Sequence, residues 1–291
     1  MAKMISFIIL HYMVIEETLK CIDSIKQMEM QDKIKIVVVD NASPNHTGEE
    51  LQKIYAQDSQ VYIILNKDNV GFSKGNNIGC EFAKEKWNPL FYVVTNNDIL
   101  FLQKDFYQRL LAEYEKKEFD VLGMDIFCPN KGVHQSPLAQ YIPTKRAVKR
   151  TIFFNKIMLR FFWGLYPIIK SYYKKLDRGY QNAEKYNQFQ ENVCIMGACL
   201  VLTSKYIKNR KKAFYPETNF YYEEFLISLW NKENGGRIVY QPSIKVIHKE
   251  GAATKQISAD YKKKIKFRIK NIISSAQIFL KELESISEIE G

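Results

Sequence analysis

The 291-residue chain is 46% hydrophobic, 13% aromatic and 26% charged, which supplies a sizeable core and excludes disordered, collagenous and coiled-coil classes. Lys and Arg number 43 against 32 Asp and Glu, a net charge of +11. The five cysteines form no Cys-x-x-Cys pair, which excludes a disulfide framework and points to free thiols in a reducing compartment.

In chain order, residues 4–10 form a short apolar run. It does not continue as a signal sequence, because His11 and Tyr12 interrupt it, Glu16 and Glu17 follow, and no small-x-small cleavage site appears. No stretch reaches the roughly 18 apolar residues of a membrane span, so a cytoplasmic chain is expected. Residues 15–28 have helical spacing, and 34–39 are a β-branched run ending at Asp40. Residues 49–55 read as helix, 61–65 as strand, 76–84 as helix and 90–95 as a further buried strand. Near-continuous apolar strands alternating with helices predict an α/β fold, with a parallel sheet covered on both faces. Ligands then bind beyond the carboxyl ends of the strands.

Polar residues gather at those ends. They are His11 and Tyr12, Asp40-Asn41-Ala42-Ser43, the loop from Asn69 through Gly71 and Lys74 to Asn77, and Asn96-Asn97-Asp98. In the loop, glycine permits close backbone approach, and free N–H groups with Lys74 can face phosphate. The dinucleotide fingerprint and the Walker A spacing are both missing, which implies a nucleotide site of another kind. Asp98 can hold Mg²⁺ or Mn²⁺ against a diphosphate, or it can serve an Asx turn or a helix N-cap. Asp40 carries the same turn alternative.

The positive charge is concentrated. Residues 144–178 hold ten Lys/Arg against one acid, and residues 255–270 hold seven against one. On a helix over 145–163, Lys145, Lys149, Lys156 and Arg160 fall on one stripe beside Phe153, Phe154, Ile157, Met158, Phe161, Phe162 and Trp163. Two readings stand: a helix lying in the interface of an anionic membrane, or a core helix with a solvated basic edge. Nucleic-acid binding ranks below both, because no recognition motif accompanies the charge.

The segments Val37-Val38-Val39-Asp40-Asn41-Ala42-Ser43, Asn69-Val70-Gly71-Phe72 through Gly75-Asn76-Asn77-Ile78-Gly79, and Asn96-Asn97-Asp98 resemble family 2 of the inverting nucleotide-sugar glycosyltransferases. So do Gly197-Ala198-Cys199, Tyr221-Tyr222-Glu223-Glu224, and His248 with Gly251. The resemblance implies the GT-A fold: a Rossmann-like, mostly parallel central sheet flanked by helices, with a basic helical insertion and C-terminal helices. The expected divisions are a nucleotide-sugar half over 1–130, the basic aromatic insertion over 131–190, an acceptor and catalytic half over 191–254 and a basic helical extension over 255–291.

Carried over by position, the resemblance implies that Tyr12 packs on the donor pyrimidine and Asp40 accepts its ring N–H. Asn41, Asn69, Gly71, Lys74 and Asn77 line the ribose and diphosphate. Asn96 and Asn97 with Asp98 are similar to the metal-binding Asp-x-Asp, with the first acid amidated here, and His248 completes a Mn²⁺ or Mg²⁺ site. Glu224 stands where the family has its catalytic Asp, while Leu226 and Trp230 replace a further Asp and an Arg. The implied activity is single-displacement transfer of a rhamnosyl or hexosyl unit from a UDP- or dTDP-sugar to a lipid-linked saccharide. The implied setting is bacterial surface-polysaccharide or capsule assembly, peripheral on the inner face of the membrane. A non-catalytic scaffold that keeps the nucleotide pocket is the alternative, and the helical run over 261–283 is a candidate homodimer contact.

Overall fold

Strands β1 (Ile5–His11), β2 (Ile34–Asp40), β3 (Val61–Leu65) and β4 (Phe91–Asn96) form where the apolar runs are β-branched or aromatic. In the computed structural model, which describes residues 3–178, 181–250 and 261–289, they pair in parallel in the order β3-β2-β1-β4. The remaining strands among the described residues are β5 (Ile99–Leu100), β6 (Val121–Cys128), β7 (Val133–His134), β8 (Gln190–Glu191), β9 (Cys199–Thr203) and β10 (Ile238–His248). They extend the sheet as β4-β9-β6-β10-β5, with β9 antiparallel to both neighbours and β6 parallel to β10. The expected helix-flanked α/β sheet is thus present, with its parallel part concentrated in the first four strands.

Helices α1 (Ile15–Lys26) and α2 (Thr47–Ile54) are the crossovers that the parallel pairs β1–β2 and β2–β3 demand, and α4 (Phe106–Lys116) packs on the same face. One core face joins Phe7, Ile22, Ile25, Phe101, Phe106 and Leu110, all buried. On the opposite face, α3 (Gly71–Trp87), α7 (Ser204–Asn209) and α8 (Glu223–Glu233) cover Ile8, Val37, Val39, Tyr92 and Leu202. Such two-sided cover explains why these strands lack apolar–polar alternation.

The basic segments form a separate helical layer. Helix α5 (Lys145–Arg160) starts at Thr144, whose hydroxyl accepts from the Ala147 N–H, and α6 (Tyr166–Arg178) follows it. Both pack on α9 (Tyr261–Ile289). Val148 and Ile152 meet Leu226, Leu229, Ala276 and Phe279 in one apolar cluster, and Phe162, Ile169 and Tyr173 meet Ile265 and Ile269 in another. The expected basic stripe therefore borders a buried seam, and Lys149 reaches Glu284 across it at 2.9 Å. The aromatic set divides: Phe162 is buried, whereas Phe153, Phe154 and Phe161 are exposed and Trp163 is 70% exposed. Of the run over 261–283, expected as a homodimer contact, Ile265, Ile269, Ala276 and Phe279 are covered within the chain, while Phe267 is exposed. Gly251 and Lys255 lie outside the described residues.

Candidate active site

The carboxyl ends of β1 and β2 lie in register, with His11 opposite Asp40. His11 is buried; its Nδ1 is 2.7 Å from Thr18 Oγ1 and its Nε2 is 2.9 Å from Thr47 Oγ1. Burial lowers its pKa to about 4, against the opposing pull of Asp40, so the ring is neutral at pH 7. Asp40 closes an Asx-type turn: it accepts from Ser43 N at 3.1 Å and from Ser43 Oγ at 2.5 Å. Asp40 is 3% exposed, and the neighbouring Tyr12 is half-buried.

The loop after β3 differs from expectation in where its helix begins. Helix α3 starts at Gly71 rather than at residue 76, so Lys74 and Asn77 sit within its first two turns. Gly71 takes φ +82°, and a Cβ there would come within 3.0 Å of the Asn219 backbone, which is why glycine is needed. The Asn41 side chain ties this turn together. It donates to Asn69 Oδ1 at 3.1 Å and to the Gly71 carbonyl at 3.2 Å, and accepts from Val70 N at 3.0 Å. Asn77 donates to the Phe214 carbonyl at 2.9 Å and accepts from its N–H at 2.8 Å. Ser73 and Thr218 hydroxyls lie 3.0 Å apart, and Phe72 N donates to the Asn219 carbonyl at 2.7 Å. Asn41 and Asn69 therefore hold the turn to the end of β2, Asn77 braces the start of α3 against Phe214, and Lys74 stays exposed.

At the end of β4, Asn96 N donates to the Ala198 carbonyl at 2.9 Å. Asn97 is turned inward, donating to Thr18 Oγ1 at 3.0 Å and joining the polar cluster around His11. Asp98 and His248 meet because β5 pairs with the end of β10, placing Ile99 opposite His248. Asp98 Oδ1 is 3.2 Å from His248 Nε2, and both residues are buried. Among the described residues no group of three or more His, Cys, Asp or Glu is arranged to hold a metal. One carboxylate with one imidazole fits a divalent cation whose other ligands are substrate phosphate and water, and the nitrogen donor suits Mn²⁺ better than Mg²⁺.

Glu224 stands in the first turn of α8. Tyr221 and Tyr222 both take φ 70°, an uncommon left-handed pair that turns the chain sharply into α8. Glu223 points into the protein and accepts from Thr218 Oγ1 at 3.2 Å. Burial and then the neighbouring Glu224 push its carboxyl up to about 8. Burial also raises Glu224, while the Gly197 N–H, 3.3 Å from Oε1, holds it back. A Cβ on Gly197 would stand 2.7 Å from that oxygen. Since Ala198 carries Asn96, the short step Gly197-Ala198 links Glu224 to the end of β4 that bears Asp98.

The glycosyl transferase family 2 model matches residues 6–183, more than half of the chain. The chain belongs to glycosyl transferase family 2. Glycosyltransferase GlyG of Streptococcus pneumoniae serotype 4 (strain ATCC BAA-334 / TIGR4) is 24% identical over 122 residues, which are 42% of this chain and 38% of GlyG. The chain thus matches well under half the length of that relative. The crystal structure of S. aureus TarS 1–349 in complex with UDP-GlcNAc aligns with a TM-score of 0.55 at 13% identity, covering 94% of this chain and 66% of that one. GalNAc-T7 with UDP, GalNAc and Mn²⁺ aligns with a TM-score of 0.57 at 13% identity, covering 84% of this chain and 43% of that one. These likenesses show the fold, a GT-A-like sheet flanked by helices.

Motif reading missed Thr18 and Thr47, which hold His11, and Gln135 with Glu250, which sit behind His248. Gln135 and His248 are 113 positions apart, and only the pairing of β7 with β6 and of β6 with β10 brings them together. No spacing in the sequence signals that contact.

Proposed function

We propose that this family 2 chain transfers a single hexosyl or rhamnosyl unit, with inversion, from a UDP- or dTDP-sugar to a lipid-linked saccharide in surface-polysaccharide assembly. The observation that carries the reading is the position of Glu224, a carboxyl raised by burial, held by Gly197 N–H and joined through Gly197-Ala198 to the strand end bearing Asp98. In this reading Glu224 Oε takes the proton of the attacking acceptor hydroxyl as that oxygen bonds to the anomeric carbon and the nucleoside diphosphate leaves. A carboxyl raised toward neutrality suits that task. Tyr12 and Asp40 receive the base, the backbone of the Gly71 turn and Lys74 receive the ribose and diphosphate, and Asn41, Asn69, Asn77 and Asn97 shape that pocket.

Asp98 and His248 would hold the Mn²⁺ or Mg²⁺, and Asn96 would meet the donor. The cation, when bound, supplies positive charge to the departing diphosphate. A membrane site for the acceptor is supported by the layer of α5 and α6, where exposed Phe153, Phe154, Phe161 and Trp163 stand among Arg146, Arg150 and Arg160. Among the described residues no helix is long and apolar enough to cross a membrane, so contact would be peripheral.

The test is donor turnover across a panel of UDP- and dTDP-sugars, with lipid-linked acceptors, for the wild type and Glu224→Gln. Transfer should fall at least 100-fold in Glu224→Gln while donor affinity, measured by calorimetry, changes little. Donor binding by the wild type without turnover on any acceptor would instead leave a nucleotide-binding scaffold, the reading favoured by Asn96 in the place of the first motif acid.

A further inference from the structure

Gln135 follows β7 directly and is anchored by its own N–H on the Ile126 carbonyl at 2.8 Å. Its side chain lies between two groups of opposite demand. Oε1 is 2.7 Å from His248 Nδ1, and Nε2 donates to Glu250 Oε2 at 2.8 Å. Glu250 is itself held by Lys131 at 2.5 Å and by the Cys128 thiol at 3.6 Å. Turning the amide over would set its oxygen against the Glu250 carboxylate, two acceptors with no hydrogen between them. Glu250 therefore dictates the amide orientation, and whenever the His248 ring carries one hydrogen the amide oxygen calls for it on Nδ1. The Nε2 lone pair is then the face presented to Asp98 Oδ1, 3.2 Å away.

We propose that Gln135 is a positioning residue: oriented by Glu250, it holds His248 in the Nδ1–H tautomer, so that Nε2 and Asp98 together present two acceptors to a divalent cation. The proposal rests on the reading of Asp98 and His248 as the cation site. The physical reason for such a device is competition. The other tautomer would direct an Nε2–H at Asp98 Oδ1, and the resulting hydrogen bond would satisfy both residues and close the site to a metal.

Two measurements test it. The first follows Mn²⁺ by paramagnetic broadening of the His248 ring signals, with and without UDP, in the wild type and in Gln135→Leu. The variant should bind Mn²⁺ about 10- to 100-fold more weakly with little change in thermal unfolding. The double variant Gln135→Glu/Glu250→Gln should recover most of that loss, since the new carboxylate still accepts from Nδ1–H and the new amide still donates to it. The second reads the ring tautomer directly from ¹⁵N shifts of histidine-labelled, metal-free wild type at alkaline pH, a tractable spectrum because the chain has 4 histidines. Nδ1–H supports the proposal; Nε2–H in the wild type, or unchanged Mn²⁺ affinity in Gln135→Leu, overturns it. A wild type that takes up no Mn²⁺ removes the cation site itself, a separate failure, and the tautomer still decides what Gln135 does.

Discussion

Glu223 and Glu224 are adjacent in sequence, yet their carboxyls meet different surroundings. Glu223 is buried on Thr218, with its pKa raised from the ordinary 4.5 to about 8. A raised folded-state pKa means the fold binds a proton that the unfolded chain has released. Its stabilising effect is complete below pH 4.5 and is lost as pH rises to about 8. Glutamine has no such proton to lose. Glu223→Gln should therefore gain on the wild type as pH rises, by about 1–3 kcal/mol at pH 8, read as the difference between denaturant melts at pH 5 and pH 8. The His11 contribution runs the opposite way but is common to both proteins and cancels. Glu224 instead makes its contact with a backbone N–H. Gly197→Ala places a methyl only 2.7 Å from Glu224 Oε1, and the carboxylate is the flexible partner that must move. The variant should keep its unfolding midpoint while transfer falls about 100-fold, as a displacement of about 1 Å at a reacting group implies. Wild-type rates in Gly197→Ala would deny Glu224 its place at the reaction.

Among the elements, α9 backs the site while contributing no residue to it. Its Ser275 hydroxyl donates to the Phe220 carbonyl at 2.7 Å, Phe267 packs on Phe220, and Phe279 lies 5.5 Å from the Tyr222 ring. Those contacts hold the left-handed turn at Tyr221 and Tyr222 that delivers Glu224. Phe279 is fully buried, so Phe279→Ala should cost about 3–5 kcal/mol in a denaturation experiment. Transfer by the fraction that remains folded should fall as well, because the turn loses its backing. A loss of stability with full activity per folded molecule would separate α9 from the turn. The period of α9 was legible in the sequence as a helical run. Its partner was not, since an apolar helix face covers itself equally well against the same chain or a second copy.

For the molecule as a whole, charge and aromatic exposure are arranged on one layer. The basic α5–α6 segment has its aromatic residues sorted by packing, with Phe162 buried beneath Lys266 and with Phe153, Phe154 and Trp163 left outside. Phe153→Ser, Phe154→Ser and Trp163→Ser combined should reduce flotation with anionic vesicles about tenfold or more without altering the thermal midpoint, and added salt should weaken wild-type flotation too. Unchanged flotation would return this layer to the reading of a core helix with a solvated basic edge.

The apolar runs by themselves determined the first four strands, their helices and the edge at which Asp40, Asn96, Asn97 and Asp98 collect, because burial on two faces imposes near-continuous hydrophobicity over a few residues at a time. Tertiary structure decided the rest. It started α3 at Gly71, turned Asn41, Asn77 and Asn97 into internal braces, buried Glu223 beside the half-buried Glu224 and set Gln135 behind His248. The physical reason is that a side-chain amide or carboxyl has no preferred direction in the sequence: it turns to whichever buried donor or acceptor the packed chain places within about 3 Å.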